Sequence, residues 1–289
     1  MQFIELLQTS PAGFYFSIGL LGLLVGSFLN VVIVRLPLMM ERDWRKSCCE
    51  FLEVENTAAD EGQTYNLLQP RSRCLACGHS ITVMQNIPLL SYLLLGGKCA
   101  NCEAGIGIRY PLVELLACLL CLSAAWKFGP HIQTLPACIL GCSLIALVFI
   151  DYDKQLLPDE ITLPLLWAGI VSNLFGVFTD IYSSIIGCIL GYLILWGVYH
   201  LFKLLTGKQG IGHGDFKLLA ALGAWLGWQY LPLVILLSSL VGSIIGIGMI
   251  ILRRHKRETP IPFGPYLAIA GWISLIQGRE ILALFNHEL

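Results

Sequence analysis

The chain has 289 residues, of which 56% are hydrophobic and only 13% charged, with a mean hydropathy of +0.73. The charged share is about half that of a soluble domain, which excludes a disordered chain and an ordinary soluble enzyme. A net charge of -1, from 18 basic and 19 acidic residues, creates no strong field and excludes nucleic acid as a partner.

Uncharged runs set the expected elements, because a bilayer core about 30 Å thick needs roughly 20 apolar helical residues. Positions 6–34, 128–150, 161–179, 181–202, 218–252 and 259–278 carry no charge, and a shorter run at 115–126 extends back through Glu114 to Tyr110. At 1.5 Å per residue, the run 218–252 makes about 52 Å of helix, too long for one span. Trp228, Gln229, Tyr230 and Pro232 mark an interfacial hairpin that divides it. The expectation is an all-α polytopic membrane protein with about eight transmembrane helices, two of them short. No basic residue precedes the first run and Arg35 follows it, so it reads as a retained membrane helix and not a cleaved signal.

Of the 18 basic residues, only Lys127 and Arg279 fall outside the connections 35–109, 151–160, 203–217 and 253–258. By the positive-inside rule these four connections are cytoplasmic, and both termini lie on the opposite side. The one sizeable polar stretch, 35–109, reads as a small cytoplasmic domain between helices 1 and 2. The expected division is therefore a first transmembrane helix over 1–34, a cytoplasmic domain over 35–109, and about seven helices over 110–289. No internal repeat is evident.

Cys74-Leu-Ala-Cys77 and Cys99-Ala-Asn-Cys102 are two C-x-x-C pairs 21 residues apart. Two such knuckles bring four thiolates onto one zinc ion, a closed structural site that organises a domain with little apolar core. Gly78 and Gly105 suit the tight backbone after each knuckle, and Arg71, Arg73 and Lys98 offset the negative charge of a tetrathiolate centre. The alternatives are two disulfides or redox-active pairs; a reducing cytoplasm argues against structural disulfides.

Ionisable residues at membrane depth are costly, so each is a functional candidate. Asp151 ends the third span and Asp215 opens the sixth, in Gly210-Ile-Gly212-His-Gly214-Asp215-Phe-Lys217. Two spans lie between them, one out and one back, which returns both to the cytoplasmic side at similar depth. Facing carboxylates there can share a proton and drive water onto a peptide, as in an aspartic protease dyad. Gly210, Gly212 and Gly214 leave room for the backbone to bend and a peptide to approach. The bland reading of Asp215 is an N-cap, and for Asp159, after Pro158, capping is the better reading. Glu114, one turn inside the second span, either pairs with Arg109 or polarises the site.

The chain resembles the type IV prepilin peptidases, the aspartic peptidases of the glycine-aspartate intramembrane type that also act as N-methyltransferases. The resemblance is carried by Gly26-Ser-Phe-Leu-Asn30-Val-Val, Pro70-Arg-Ser-Arg-Cys74, Arg109-Tyr-Pro-Leu-Val-Glu114, Asp151 through Asp159, Gly212 through Lys217, and Pro262-Phe-Gly-Pro265. It implies that Asp151 and Asp215 are the catalytic pair, with Gly212, Gly214, Lys217 and Glu114 in support. It implies that Cys74, Cys77, Cys99 and Cys102 belong to a zinc domain tied to methyl transfer, and that Gly97 is linked to methylation. The implied reaction is removal of a basic leader from prepilins and type II secretion pseudopilins at the cytoplasmic face of the bacterial inner membrane. N-methylation with S-adenosylmethionine follows. A peptidase without methylation, and a zinc-containing membrane scaffold or transporter without hydrolysis, are the competing readings.

Overall fold

The computed structural model describes residues 10–54, 65–74, 76–82, 84–208, 212–251 and 262–286. Among them the chain is helical with no strands, and it divides into two compact units, Met1–Ala125 and Trp126–Leu289. Among the described residues six helices are long and apolar enough to cross a membrane, so this is a multi-pass membrane protein. The charged connection 253–258 lies outside the described residues.

In the first unit, α1 (Pro11–Phe51) starts where Ser10 caps the Gly13 N–H and Pro11 presets the first turn. The apolar run stops at 34, yet the helix continues through Pro37 to Phe51. After the short α2 (Leu90–Leu94) comes α3 (Arg109–Phe128). It packs on a glycine stripe of α1: a Cβ at Gly22 would stand 2.8 Å from Cys118 Cα, and one at Gly26 would stand 2.7 Å from Glu114 Cα. Lipid tails give apolar helices no reason to leave them, so such close backbone approach supplies the association. The Asn30 amide crosses the same seam, donating to the Tyr110 carbonyl at 3.1 Å.

The second unit holds α4 (Thr134–Lys154), α5 (Asp159–Leu174), α6 (Ile181–Thr206), α7 (His213–Leu226), α8 (Leu231–Ile251) and α9 (Gly264–Asn286). With 16 and 14 residues, α5 and α7 reach about 24 and 21 Å, short of a 30 Å core. The expected break of the long run is present: Gly227, at φ +87, ends α7, and a 3₁₀ turn over Trp228–Tyr230 leads into α8.

Because α7 is short, its last carbonyls end in an apolar interior and need partners. Asn173 donates to the Ala224 and Trp225 carbonyls at 2.7 and 3.0 Å, and the Ser184 hydroxyl donates to Ala224 at 2.6 Å. The fully buried Trp225 indole donates back to the Leu165 carbonyl at 2.8 Å. On its other side α7 lies against α6, where a Cβ at Gly191 would stand 2.6 Å from the Leu219 carbonyl oxygen. These contacts fix α7, and with it Asp215.

Candidate functional site

Asp151 sits in the last turn of α4, which closes where Gln155 turns left-handed and donates its N–H to the Asp151 carbonyl. Asp215 is in the first turn of α7, where its Oδ2 reaches back to the Gly212 N–H at 3.2 Å. It therefore caps the helix from inside the first turn, the reciprocal half of a capping box. The two residues are 5% and 6% exposed. Asp151 Oδ2 is buried with no hydrogen-bond partner among the described residues.

Two residues without an assigned role in the sequence reading pack beside the carboxylates. A Cβ at Gly264, the first residue of α9, would stand 2.6 Å from Asp151 Oδ2. Leu157 follows α4 in the connection Leu156-Leu157-Pro158 and is 8% exposed. Its side chain fills the space beside both Gly214 and Gly264, 2.7 Å and 3.3 Å from where their Cβ atoms would be. Only the unusual Pro-Phe-Gly-Pro run hinted at Gly264, and nothing in the spacing paired it with Asp151.

Two expectations change here. Gly214 does not hold space open for a peptide; the gap is closed by Leu157. Asp159 does not cap α5, whose N-cap Pro158 has no side-chain hydrogen bond; both its oxygens take the Lys217 ammonium at 2.7 Å. This pair ties the starts of α5 and α7 but is one-third to one-half exposed, so it contributes little stability by itself. Gly212 has an ordinary φ of -76, and a Cβ there would meet only Asp215 Oδ2, at 3.4 Å. Gly210 lies outside the described residues, and His213 stacks beside Tyr199 and Phe216.

In the first unit the four cysteines converge as expected, with Cys74, Cys77, Cys99 and Cys102 sulfurs all within 4.8 Å of one another. Cys74 Sγ and Cys102 Sγ are 3.8 Å apart. A tetrahedron with metal–sulfur bonds of about 2.3 Å has edges of about 3.8 Å, so the set can hold a metal ion. The two knuckles share one backbone plan. Cys74 N–H bonds the His79 carbonyl and Cys99 N–H the Ala104 carbonyl, each flanked by a bridge, Arg73 to Ser80 and Lys98 to Gly105. The left-handed position is Gly78 in the first knuckle but Glu103, at φ +57, in the second; Gly105 is not the residue that turns.

Backbone amides of Cys77 and Ala76 lower the Cys74 thiol, and the His79 amide and Asn101 side chain lower Cys77. The Ala104 amide acts in the same sense on Cys102, but the neighbouring sulfurs, Cys77 foremost, and burial push it up to about 12. Four sulfurs at this spacing cannot all ionise without a cation among them. Glu114 is 8% exposed in the same unit, and its Oε2 accepts the Leu89 N–H at 2.8 Å. Gly97, at φ +70, lies under the Tyr92 ring.

Fold and site together define a class: a helical multi-pass membrane protein with a buried acid pair at helix ends and a four-sulfur cluster able to bind metal. A family model described as the type IV leader peptidase family matches residues 138–247, and one described as the bacterial peptidase A24 N-terminal domain matches 20–128. The chain is 54% identical over 278 residues to the prepilin leader peptidase/N-methyltransferase of Aeromonas salmonicida, covering 96% of each chain. It is 55% identical over 281 residues to the protein of that name in Pseudomonas aeruginosa, covering 97% of this chain and 96% of the relative. With that of Legionella pneumophila it shares 46% over 272 residues, 94% of each. No solved structure matches. The chain belongs to the type IV leader peptidase family.

Proposed function

We propose that the chain removes the basic leader from type IV prepilins and type II secretion pseudopilins at the cytoplasmic face of the bacterial inner membrane. It then N-methylates the new terminal residue with S-adenosylmethionine. One observation carries the first step: Asp151 and Asp215, 64 residues apart in sequence, are both buried at helix ends, Leu157 packs beside both Gly214 and Gly264, the glycine that lies against Asp151, and one Asp151 oxygen has no partner among the described residues. The second step rests on relatives that carry the name peptidase/N-methyltransferase and match nearly end to end.

In this reading the pair shares one proton. The ionised member takes a proton from water, the protonated member donates to the scissile carbonyl, and no covalent intermediate forms. The Gly212 amide holds Asp215 in orientation, while Gly264 fits closely against Asp151 and Leu157 fills the space beside Gly264 and Gly214. Lys217 keeps the α7 start in register through Asp159. The substrate is an apolar helix with a basic leader in the cytoplasm, and a glycine before the cut weakens helix there and exposes the bond.

Residues 35–109 form the cytoplasmic portion, and Cys74, Cys77, Cys99 and Cys102 hold one structural zinc ion; residues 110–289 carry the peptidase. S-adenosylmethionine supplies a methyl group on a sulfonium: the C–S bond breaks, sulfur keeps the electron pair, an N–C bond forms to the free amine, and the amine's proton leaves to water. The test is incubation of the purified protein with a prepilin, with and without S-adenosylmethionine, read by mass spectrometry. Loss of the leader, then a 14 Da gain only with the methyl donor, is expected (roughly one CH₂, the group also used to scale apolar burial). Asp151→Asn and Asp215→Asn should each lower cleavage by about 10²–10⁴-fold or more. Full cleavage by both variants would remove the dyad assignment.

A further inference from the structure

The first unit contains a cavity of about 440 Å³ beside the four-cysteine site. That falls within the roughly 300–1,000 Å³ typical of small-molecule sites. One side is built by Ser27 and Asn30 of α1 and by Tyr110 and Glu114 of α3, and the rest by the segments that carry the two knuckles. The frame is held by specific bonds: Asn30 to the Tyr110 carbonyl, Glu114 to the Leu89 amide, and Arg35 Nη1 to the Asn66 carbonyl at 3.0 Å. Arg42 lies over the Tyr65 ring, 4.2 Å from its centroid.

The cavity lining combines three kinds of group. Arg71 and Arg73 line it, and neither pairs with an acid among the described residues. A guanidinium is a bidentate receptor for a carboxylate. Tyr65, Tyr92 and Tyr110 present aromatic rings, which stack on a flat base and attract a cation. Among the described residues Glu114 is the single acidic side chain in the lining, buried, and its hydrogen bond comes from a neutral backbone amide, so its carboxylate has no compensating cation there. A ligand that satisfies all three carries a carboxylate, an aromatic base and a positive centre.

We propose that this cavity is the methyl-donor pocket, an inference that rests on the methyl transfer proposed above. Arg71 and Arg73 take the carboxylate of S-adenosylmethionine, Tyr65 and Tyr92 hold the adenosine, and Glu114 faces the cationic end. Gly97 is a positioning residue that acts through Tyr92. Its N–H donates to the Tyr92 carbonyl at 2.8 Å, and a Cβ there would press the Tyr92 ring at 3.0 Å. At φ +70 any other residue is also strained. A side chain at position 97 therefore displaces a ring that lines the cavity.

The test uses the full chain in detergent micelles with its metal, titrated calorimetrically with S-adenosylhomocysteine, the unreactive product. The Arg71→Ala/Arg73→Ala double variant, Tyr92→Ala and Gly97→Ala should each weaken binding at least tenfold, about the effect of losing one charge-assisted contact. Adenosine alone should bind the arginine double variant as it binds the parent. Metal content and leader cleavage should hold in all three variants, which separates a ligand role from charge balance at the cysteine cluster. A second arm needs no variant: an azidoadenosine analogue of the donor, photolysed on the unaltered protein, should label peptides within 65–114. Unchanged affinity in every variant, or label confined to 126–289, would overturn the pocket while methyl transfer stood. An unaltered protein that neither binds S-adenosylhomocysteine nor transfers methyl would remove the methylation reading and the pocket together.

Discussion

Gly212 and Gly214 stand two residues apart before Asp215, yet only one of them needs to be glycine for packing. A Cβ at Gly212 would touch only Asp215 Oδ2, at an ordinary 3.4 Å, whereas one at Gly214 would overlap Leu157. Gly212→Ala should therefore cost at most about 1 kcal/mol and keep most cleavage. Gly214→Ala should cost about 1–3 kcal/mol of overpacking. Gly264→Ala, whose methyl would meet the Asp151 carboxylate, should lower leader cleavage at least tenfold, a factor of about 1.4 kcal/mol, while the protein still folds. Rates and thermal midpoints of the three variants check the order; equal tolerance at all three positions would contradict it. The carboxylates and cysteines were legible in the chain because charge at membrane depth and C-x-x-C spacing carry local meaning. Gly264 was not, because its role depends on the carboxylate that happens to lie against it.

Among the helices, the short α7 is the one whose stability rests on borrowed hydrogen bonds. Asn173 bonds two of its terminal carbonyls and also accepts the Phe178 and Thr179 amides at 3.0 and 3.1 Å. Asn173→Leu keeps the size but strands these groups, and at about 1–3 kcal/mol for each unsatisfied buried group the thermal midpoint in detergent should fall clearly. An unchanged midpoint would show that water or relaxed backbone takes over. Under the proposed metal assignment the knuckles depend on zinc as α7 depends on Asn173. Cys74→Ser should lower bound zinc and the stability of the first unit, measured by metal analysis and by protease resistance of 65–108. Zinc undetectable in the unaltered protein would refute the metal assignment. Sequence foresaw the two knuckles, but their common backbone plan, with Glu103 in the place of Gly78, appears only in three dimensions, since a left-handed glutamate has no sequence mark.

Sidedness belongs to the chain taken entire, because orientation is set by the summed distribution of lysine and arginine and not by any one helix. The proposed topology puts Asp43 in the cytoplasm and His131, beside Lys127, on the outer side. An impermeant maleimide should therefore label His131→Cys in intact cells and Asp43→Cys only after lysis, above the background of the native cysteines. The reverse pattern would invert the assignment of 35–109 to the cytoplasm.

The class of the protein and its candidate chemistry were written in local properties: apolar runs long enough for lipid, basic residues gathered in alternate connections, paired cysteines, and two aspartates that cost too much to be idle. Tertiary structure alone decided what meets what. The places of Leu157 against Gly214, Gly264 against Asp151, Asn173 under the end of α7, and the tyrosines and arginines around one cavity all join residues far apart along the chain. Hydropathy and spacing act along the polypeptide, so they are readable in order. Steric fit and hydrogen-bond satisfaction act through space, and they exist only once the helices have packed.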